Sequence, residues 1–244
     1  MKIVAVIPAY NEVATIRDVA MRTLAVLPEV IVVDDGSSDG TRAALDGLPV
    51  TVISNPANLG KGASLWRGFS VALAEGADAV VTLDADAQHC PEDIPRLIAA
   101  WEANPGRVII GARLWDRGKV PPLRYFGNRF ANFWVAWASG YPVQDSQSGF
   151  RVYPASLLRQ VQVAHGPDAR FAFESEILIE AGRAGFPTRA VQIAALYPMQ
   201  ARASYYRATA DTTRIVLMIA GKLITRGLDL PRLVRSLIPA KGEI

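Results

Sequence analysis

The sequence predicts an α/β fold, a mostly parallel sheet flanked by helices, with amphipathic helices at the C-terminal end. Short apolar runs rich in β-branched residues recur at 3–7, 30–33, 50–53, 79–83 and 108–110. They are too continuous for a sheet wetted on one face and read as buried parallel strands. Between them, residues 12–27, 61–75 and 91–104 have helical spacing, and Pro91 followed by Glu92 and Asp93 suits a first helical turn. Strands alternating with helices give a sheet covered on both faces, with ligands bound at the carboxyl ends of the strands.

After about residue 112 the strand pattern weakens and Trp, Tyr, Phe and Arg cluster. Residues 123–139 predict a helix with aromatics at Tyr125, Phe126, Phe130, Phe133, Trp134 and Trp137. Residues 171–184 predict another, 188–193 a late strand, and 211–225 and 230–238 terminal helices split by Gly227 and Pro231. There is no internal repeat, low-complexity segment or linker.

The chain has 244 residues, 50% hydrophobic and 20% charged, which excludes a disordered protein and allows a sizeable core. One cysteine, Cys90, excludes a disulfide framework or cysteine-rich zinc site. The N-terminus lacks the layout of a secretory signal, and no window has the uninterrupted apolar length of a membrane span, so a cytoplasmic location is expected. Residues 1–106 carry 7 basic against 14 acidic side chains and residues 107–244 carry 19 against 9, so the halves differ sharply in charge. An acidic half suits a metal and hydroxyl-rich ligands, whereas a basic half suits phosphate or an anionic membrane surface. Arginine supplies 21 of the 26 cations, which favours bidentate phosphate contacts. Nucleic acid is not an expected partner.

The loops leaving the strand ends carry the chemistry. The first strand ends in Pro8-Ala9-Tyr10-Asn11-Glu12, without the glycine-rich turn of a dinucleotide site or a phosphate-binding loop. The second ends in Asp34-Asp35-Gly36-Ser37-Ser38-Asp39-Gly40-Thr41; Ser37 to Gly40 read as an ordinary turn, while Asp35 is placed to hold a ribose or base edge. The third leads to Asn58-Leu59-Gly60-Lys61-Gly62-Ala63, where backbone amides could meet an anion or simply form a turn. The sharpest signal follows the fourth, Asp84-Ala85-Asp86-Ala87-Gln88-His89. Carboxylates two residues apart on an emerging strand face one side and repel each other unless a cation lies between them. Mg2+ or Mn2+ meets that need through oxygen ligands, with phosphate and water completing the shell; the plainer reading is two helix-capping acids.

Taken together and in this order, PAYNE, DDGSSDGT, NLGKGA and DADAQHCPED resemble the family 2 inverting glycosyltransferases of GT-A fold, most closely the dolichol- or polyprenyl-phosphate mannose synthase-like branch. The resemblance spans residues 2–207. It implies a GT-A domain over 1–207, with a nucleotide-sugar half at 1–106 and an acceptor half at 107–207, and amphipathic helices over 208–244. It also implies that Pro8, Tyr10, Glu12 and Asp35 line the nucleoside pocket, and that Asp84, Asp86 and Gln88 bind the metal and donor diphosphate, with Lys61 nearby. Asp145-Ser146-Gln147-Ser148-Gly149-Phe150-Arg151 is similar to a D-x-x-S-G-F-R segment of the branch, placing Ser148 and Arg151 near donor or acceptor phosphate. Arg124 stands where these enzymes hold the acceptor phosphate, and Asn128 replaces the usual Ser four residues on. Arg202 and Arg207 align with a basic loop that closes over the diphosphate.

The activity implied is metal-dependent hexose transfer, with inversion, from a nucleotide diphosphate sugar to a lipid phosphate. Such an acceptor is already anionic and needs no base. A soluble or thioester-bound hydroxyl acceptor would need one, for which Asp145, Glu174 and Glu176 are candidates. A catalytically silent nucleotide-binding subunit is the third reading. The basic amphipathic tail either lies in a membrane interface, which would make the enzyme peripheral on the inner face, or packs on the domain or a second subunit.

Overall fold

A computed structural model describes residues 1–113, 122–164, 172–194, 208–225 and 227–237. Seven strands form one sheet in the order β3-β2-β1-β4-β6-β5-β7. These are β1 (Ile3–Ala9), β2 (Val30–Asp34), β3 (Thr51–Ser54), β4 (Ala79–Thr82), β5 (Val108–Ala112), β6 (Arg151–Pro154) and β7 (Thr188–Gln192). The pairs β1–β2, β1–β4, β2–β3 and β5–β7 are parallel. Strand β6 runs antiparallel between β4 and β5, with Arg151 opposite both Thr82 and Ile110. The carboxyl ends of six strands and the amino end of β6 therefore share one edge.

The helices are α1 (Ile16–Val26), α2 (Lys61–Ala74), α3 (Ile94–Glu102), α4 (Pro122–Ser139), α5 (Ala155–Gln160), α6 (Ala172–Arg183), α7 (Ala208–Ile224) and α8 (Leu230–Leu237). Side chains alternate along each strand, so a run covered on both faces must be apolar throughout. In β1, Val4 and Val6 join the core that includes Leu65 and Phe69 of α2 and Ile177 of α6. Ala5 and Ile7 join the opposite core, with Val19 of α1 and Leu97 of α3. Burying one such aliphatic side chain is worth about 1.5–3 kcal/mol, which is why these strands leave so plain a trace in the sequence.

The predicted strands and helices of the first half are present with boundary shifts: the stretch after Glu12 turns before α1 begins at Ile16, and a 3-10 turn, Pro91–Asp93, precedes α3. Strand β6 and helix α5 were not anticipated. The tail question divides. Helix α7 packs on the domain, burying Ile215, Ile219 and Leu223, and its Lys222 pairs with Glu176 at 2.9 Å and Glu180 at 2.6 Å on α6. Helix α8 rests on α4 but keeps Leu230, Val234 and Leu237 exposed.

Candidate active site

The site lies at the shared strand edge. Past β1 and β2 the chain is stitched into one unit: the Asn11 N–H donates to Ser37 Oγ at 2.9 Å, Ser38 N–H to Asn11 Oδ1 at 2.8 Å, and Glu12 N–H to Thr41 Oγ1 at 2.8 Å. Pro8 is buried in β1, while Tyr10 and Glu12 are partly exposed. Asp35 is buried and faces inward. It accepts from Asn55 Nδ2 at 2.7 Å and from the backbone N–H groups of Leu59 and Gly60 at 2.9 and 2.8 Å. Its carboxylate thus fixes the loop that delivers Lys61.

Helix α2 begins at Lys61, and a Cβ on Gly62 would lie 2.7 Å from Phe173 Cβ of α6. Only glycine allows so close an approach of the two helices, and it brings Lys61 within reach of Glu174. Lys61 Nζ lies 2.5 Å from Asp84 Oδ1 and 3.1 Å from Glu174 Oε1. Burial by itself would drive the ammonium toward neutrality, but Asp84 and then Glu174 outweigh it and raise its pKa above the usual lysine value. The Asp84 carboxyl is likewise pushed up by burial and pulled down further by Lys61, so its pKa ends below the ordinary carboxylate value. The chain thus supplies a cation to Asp84 itself, placed between Asp84 and Glu174 rather than between Asp84 and Asp86.

Asp86 has the opposite fate. Burial first, and the charge of Asp84 second, raise its pKa. Its Oδ1 accepts the Gln88 N–H at 3.0 Å across Ala87, whose φ is 59°, and Asp84, Asp86 and Gln88 all remain partly exposed. His89 is buried beneath them. Its Nδ1 accepts the Asp84 N–H at 3.3 Å, and burial lowers its pKa to about 4.

A second layer lies behind Asp84. Arg113, the first residue past β5, donates from its backbone N, Nε and a terminal nitrogen to the Asp145 carboxylate at 2.9, 3.1 and 3.3 Å. Asp145 is 0% exposed and has a φ of 49°, so the expectation that it is a base open to an acceptor is corrected: its carboxylate is spent on Arg113. Arg151 is corrected in the same way. It is 0% exposed in the middle of the sheet, where it donates to the carbonyl oxygens of Ser146, Ser148 and Glu174 and to the Tyr153 hydroxyl. That makes it the scaffold under the site rather than a phosphate contact. Ser148 is also buried, its hydroxyl accepting the Phe150 N–H at 3.3 Å instead of facing an acceptor.

The structure therefore brings Lys61, Asp84, Asp86, Gln88 and Glu174 together. Asn128 is partly exposed on α4; the Arg124 side chain, Arg202 and Arg207 lie outside the described residues. Arg113 escaped the sequence reading, although its place directly after a buried strand was a usable signal. Two carboxylates and an amide oxygen suit a hard cation such as Mg2+ or Mn2+, and a dication would offset what raises the pKa of Asp86, burial first and the charge of Asp84 second. Among the described residues no three His, Cys, Asp or Glu side chains are grouped to hold a metal unaided. Further oxygens would have to come from substrate and water.

A family model described as Glycosyl transferase family 2 matches residues 4–161. The polyprenol monophosphomannose synthase of Mycolicibacterium smegmatis is 31% identical over 199 residues, covering 77% of this chain and 75% of that protein. The undecaprenyl-phosphate mannosyltransferase of Micrococcus luteus is 31% identical over 196 residues, covering 76% and 79%. Among solved structures, glucosyl-3-phosphoglycerate synthase from Mycobacterium tuberculosis, in complex with Mn2+, UDP-glucose and phosphoglyceric acid, is similar with a TM-score of 0.64. At 21% identity, over 99% of this chain and 81% of that one, the likeness speaks for the fold. With a family match across most of the sheet, a GT-A architecture and acids gathered at its carboxyl edge, the chain belongs to glycosyl transferase family 2 and is a glycosyltransferase.

Proposed function

We propose that the protein transfers a hexose, with inversion, from a nucleotide diphosphate sugar to a polyprenyl phosphate, and that Asp84, Asp86 and Gln88 hold the Mg2+ or Mn2+ this requires. The observation that carries the acceptor class is the fate of the three candidate bases. Asp145 is locked on Arg113, Glu174 is paired with Lys61, and Glu176 is paired with Lys222. A hydroxyl acceptor needs a carboxylate ready to take its proton, whereas a phosphate oxygen attacks as it stands. The sequence relatives named as polyprenyl-phosphate sugar transferases support the same choice.

A cation held by those side chains would neutralise charge on the departing diphosphate. The chain's own groups do the rest. Asp35 acts by fixing the loop before Lys61 rather than by touching the nucleoside, His89 holds the Asp84 backbone, and the joined β1 and β2 loops form the wall against which Pro8, Tyr10 and Glu12 would seat the nucleoside. Arg124 and Asn128 are proposed on the acceptor side, and Arg202 and Arg207 over the diphosphate. Arg113 adds a fixed positive charge near Asp84.

The test is incubation with UDP- and GDP-hexoses and either undecaprenyl phosphate in vesicles or small hydroxyl acceptors. Formation of a polyprenyl phosphate hexose is expected; transfer to the hydroxyl compounds alone would refute the proposed acceptor.

The proposed location is peripheral on the inner membrane face. Among the described residues no helix is long and apolar enough to cross a membrane. The outward Leu230, Val234 and Leu237 of α8 and Phe130 of α4 support surface contact. The protein is expected to sediment with anionic vesicles and to stay in the supernatant after truncation at about residue 227, ahead of α8. Unchanged sedimentation of the truncated chain would remove α8 from the contact.

A further inference from the structure

Lys61 meets Asp84 at 2.5 Å and Glu174 at 3.1 Å, so one ammonium serves two carboxylates on different elements. Its backbone is pinned, because the preceding N–H groups of Leu59 and Gly60 are tied to Asp35. Its four-carbon stem is not, and all three side chains keep some exposure, at 21% for Lys61, 25% for Asp84 and 11% for Glu174. On one side the Asp84 carboxylate lies against Gly149, close enough that a Cβ there would fall 2.7 Å from Oδ2. Among the described residues Asp86 forms no ion pair.

Resting on the proposed metal-dependent reading, we propose that Lys61 competes with the divalent cation for Asp84 and that an incoming diphosphate relieves the competition by drawing Lys61 to itself. Three carboxylates and one ammonium leave the cluster short of positive charge, so a dication is attracted; yet it must take an oxygen that Lys61 already contacts, and it is repelled by the ammonium at short range. Glu174 gives Lys61 a second station, so leaving Asp84 does not strand a buried cation. When a diphosphate arrives, its oxygens replace Asp84 as partners of Lys61 while Glu174 stays paired with the ammonium. Cation and diphosphate are then linked: each binds better when the other is present, by the same factor in both directions.

The experiment is titration of the full chain with Mn2+, following free Mn2+ by electron paramagnetic resonance, alone and with saturating UDP, GDP or pyrophosphate, the Mn2+ taken up by diphosphate in solution being measured without protein and subtracted. In the wild-type protein a diphosphate is expected to tighten Mn2+ by about tenfold or more, within the usual span of coupling factors. Lys61→Met and Lys61→Gln are expected to bind Mn2+ alone about tenfold more tightly than the wild type and to lose most of the coupling. Two folded variants that bind Mn2+ no more tightly than the wild type would overturn the competition. So would a wild-type protein in which Mn2+ and diphosphate bind independently, a result that needs no variant at all. Failure of the metal reading looks different, because Mn2+ would then bind neither with nor without diphosphate, or would bind Asp86→Ala as well as the wild type.

Discussion

Asp86→Ala is expected to lower sugar transfer by on the order of 10³-fold while leaving the protein folded, the scale seen when a main electrostatic contact to a departing anion is removed. The expectation rests on the contrast between the two acids. Asp84 has a partner in Lys61, and its charge is favoured in the folded chain. Among the described residues Asp86 has none of comparable strength, and burial together with Asp84 disfavours its charge. Removing it sacrifices only the 3.0 Å bond from the Gln88 N–H and relieves a repulsion. The thermal midpoint should therefore stay within a few degrees of the wild type, or rise. Activity close to the wild-type level would end the role proposed for Asp86, and a large fall in the midpoint would show it to be structural.

The reason Asp84 and Asp86 were legible in the sequence is that a strand buried on both faces announces itself as an unbroken apolar run, and the residues after that run sit at the ligand-binding edge; Lys61, well past β3, showed only as a glycine-flanked lysine opening a helix. The same reasoning reaches Arg113, directly past Val108–Ala112. Strand β6 was hidden for the opposite reason. Its four residues begin with an arginine and end with a proline, and periodicity has no means of recognising an arginine that is buried because its donors meet three carbonyl oxygens and a tyrosine hydroxyl. Asp35, Asp145 and Ser148 mark the further boundary. Residue types at a strand end disclose that polar chemistry is nearby; whether a carboxylate turns outward to a ligand or inward to a backbone N–H depends on the loop packed over it. Long-range pairs such as Asp35 with Leu59 and Gly60, or Asp145 with Arg113, exist only once the strands are aligned.

Gly149→Ala is the second change with a large expected effect, and it tests the placement of Asp84 without touching any side chain that bears charge. An added Cβ would lie 2.7 and 2.8 Å from the two oxygens of Asp84, nearer than atoms in van der Waals contact can stay. The backbone there cannot retreat freely, because the Gly149 carbonyl accepts the Thr82 hydroxyl at 2.7 Å and the next residue's carbonyl accepts the Gly111 N–H at 2.8 Å. The carboxylate must give way instead, moving off the line it shares with Asp86. Displacing a reacting constellation by about 1 Å costs on the order of 10²-fold in turnover, and overpacking of this kind costs about 1–3 kcal/mol in stability. Gly106→Ala is the control, since a Cβ there meets nothing within 4 Å. The pair of variants separates the two effects: if Gly149→Ala transfers sugar within threefold of the Gly106→Ala rate, the position of the Asp84 carboxylate does not govern catalysis, and the acid whose partner is Lys61 is part of the scaffold alone.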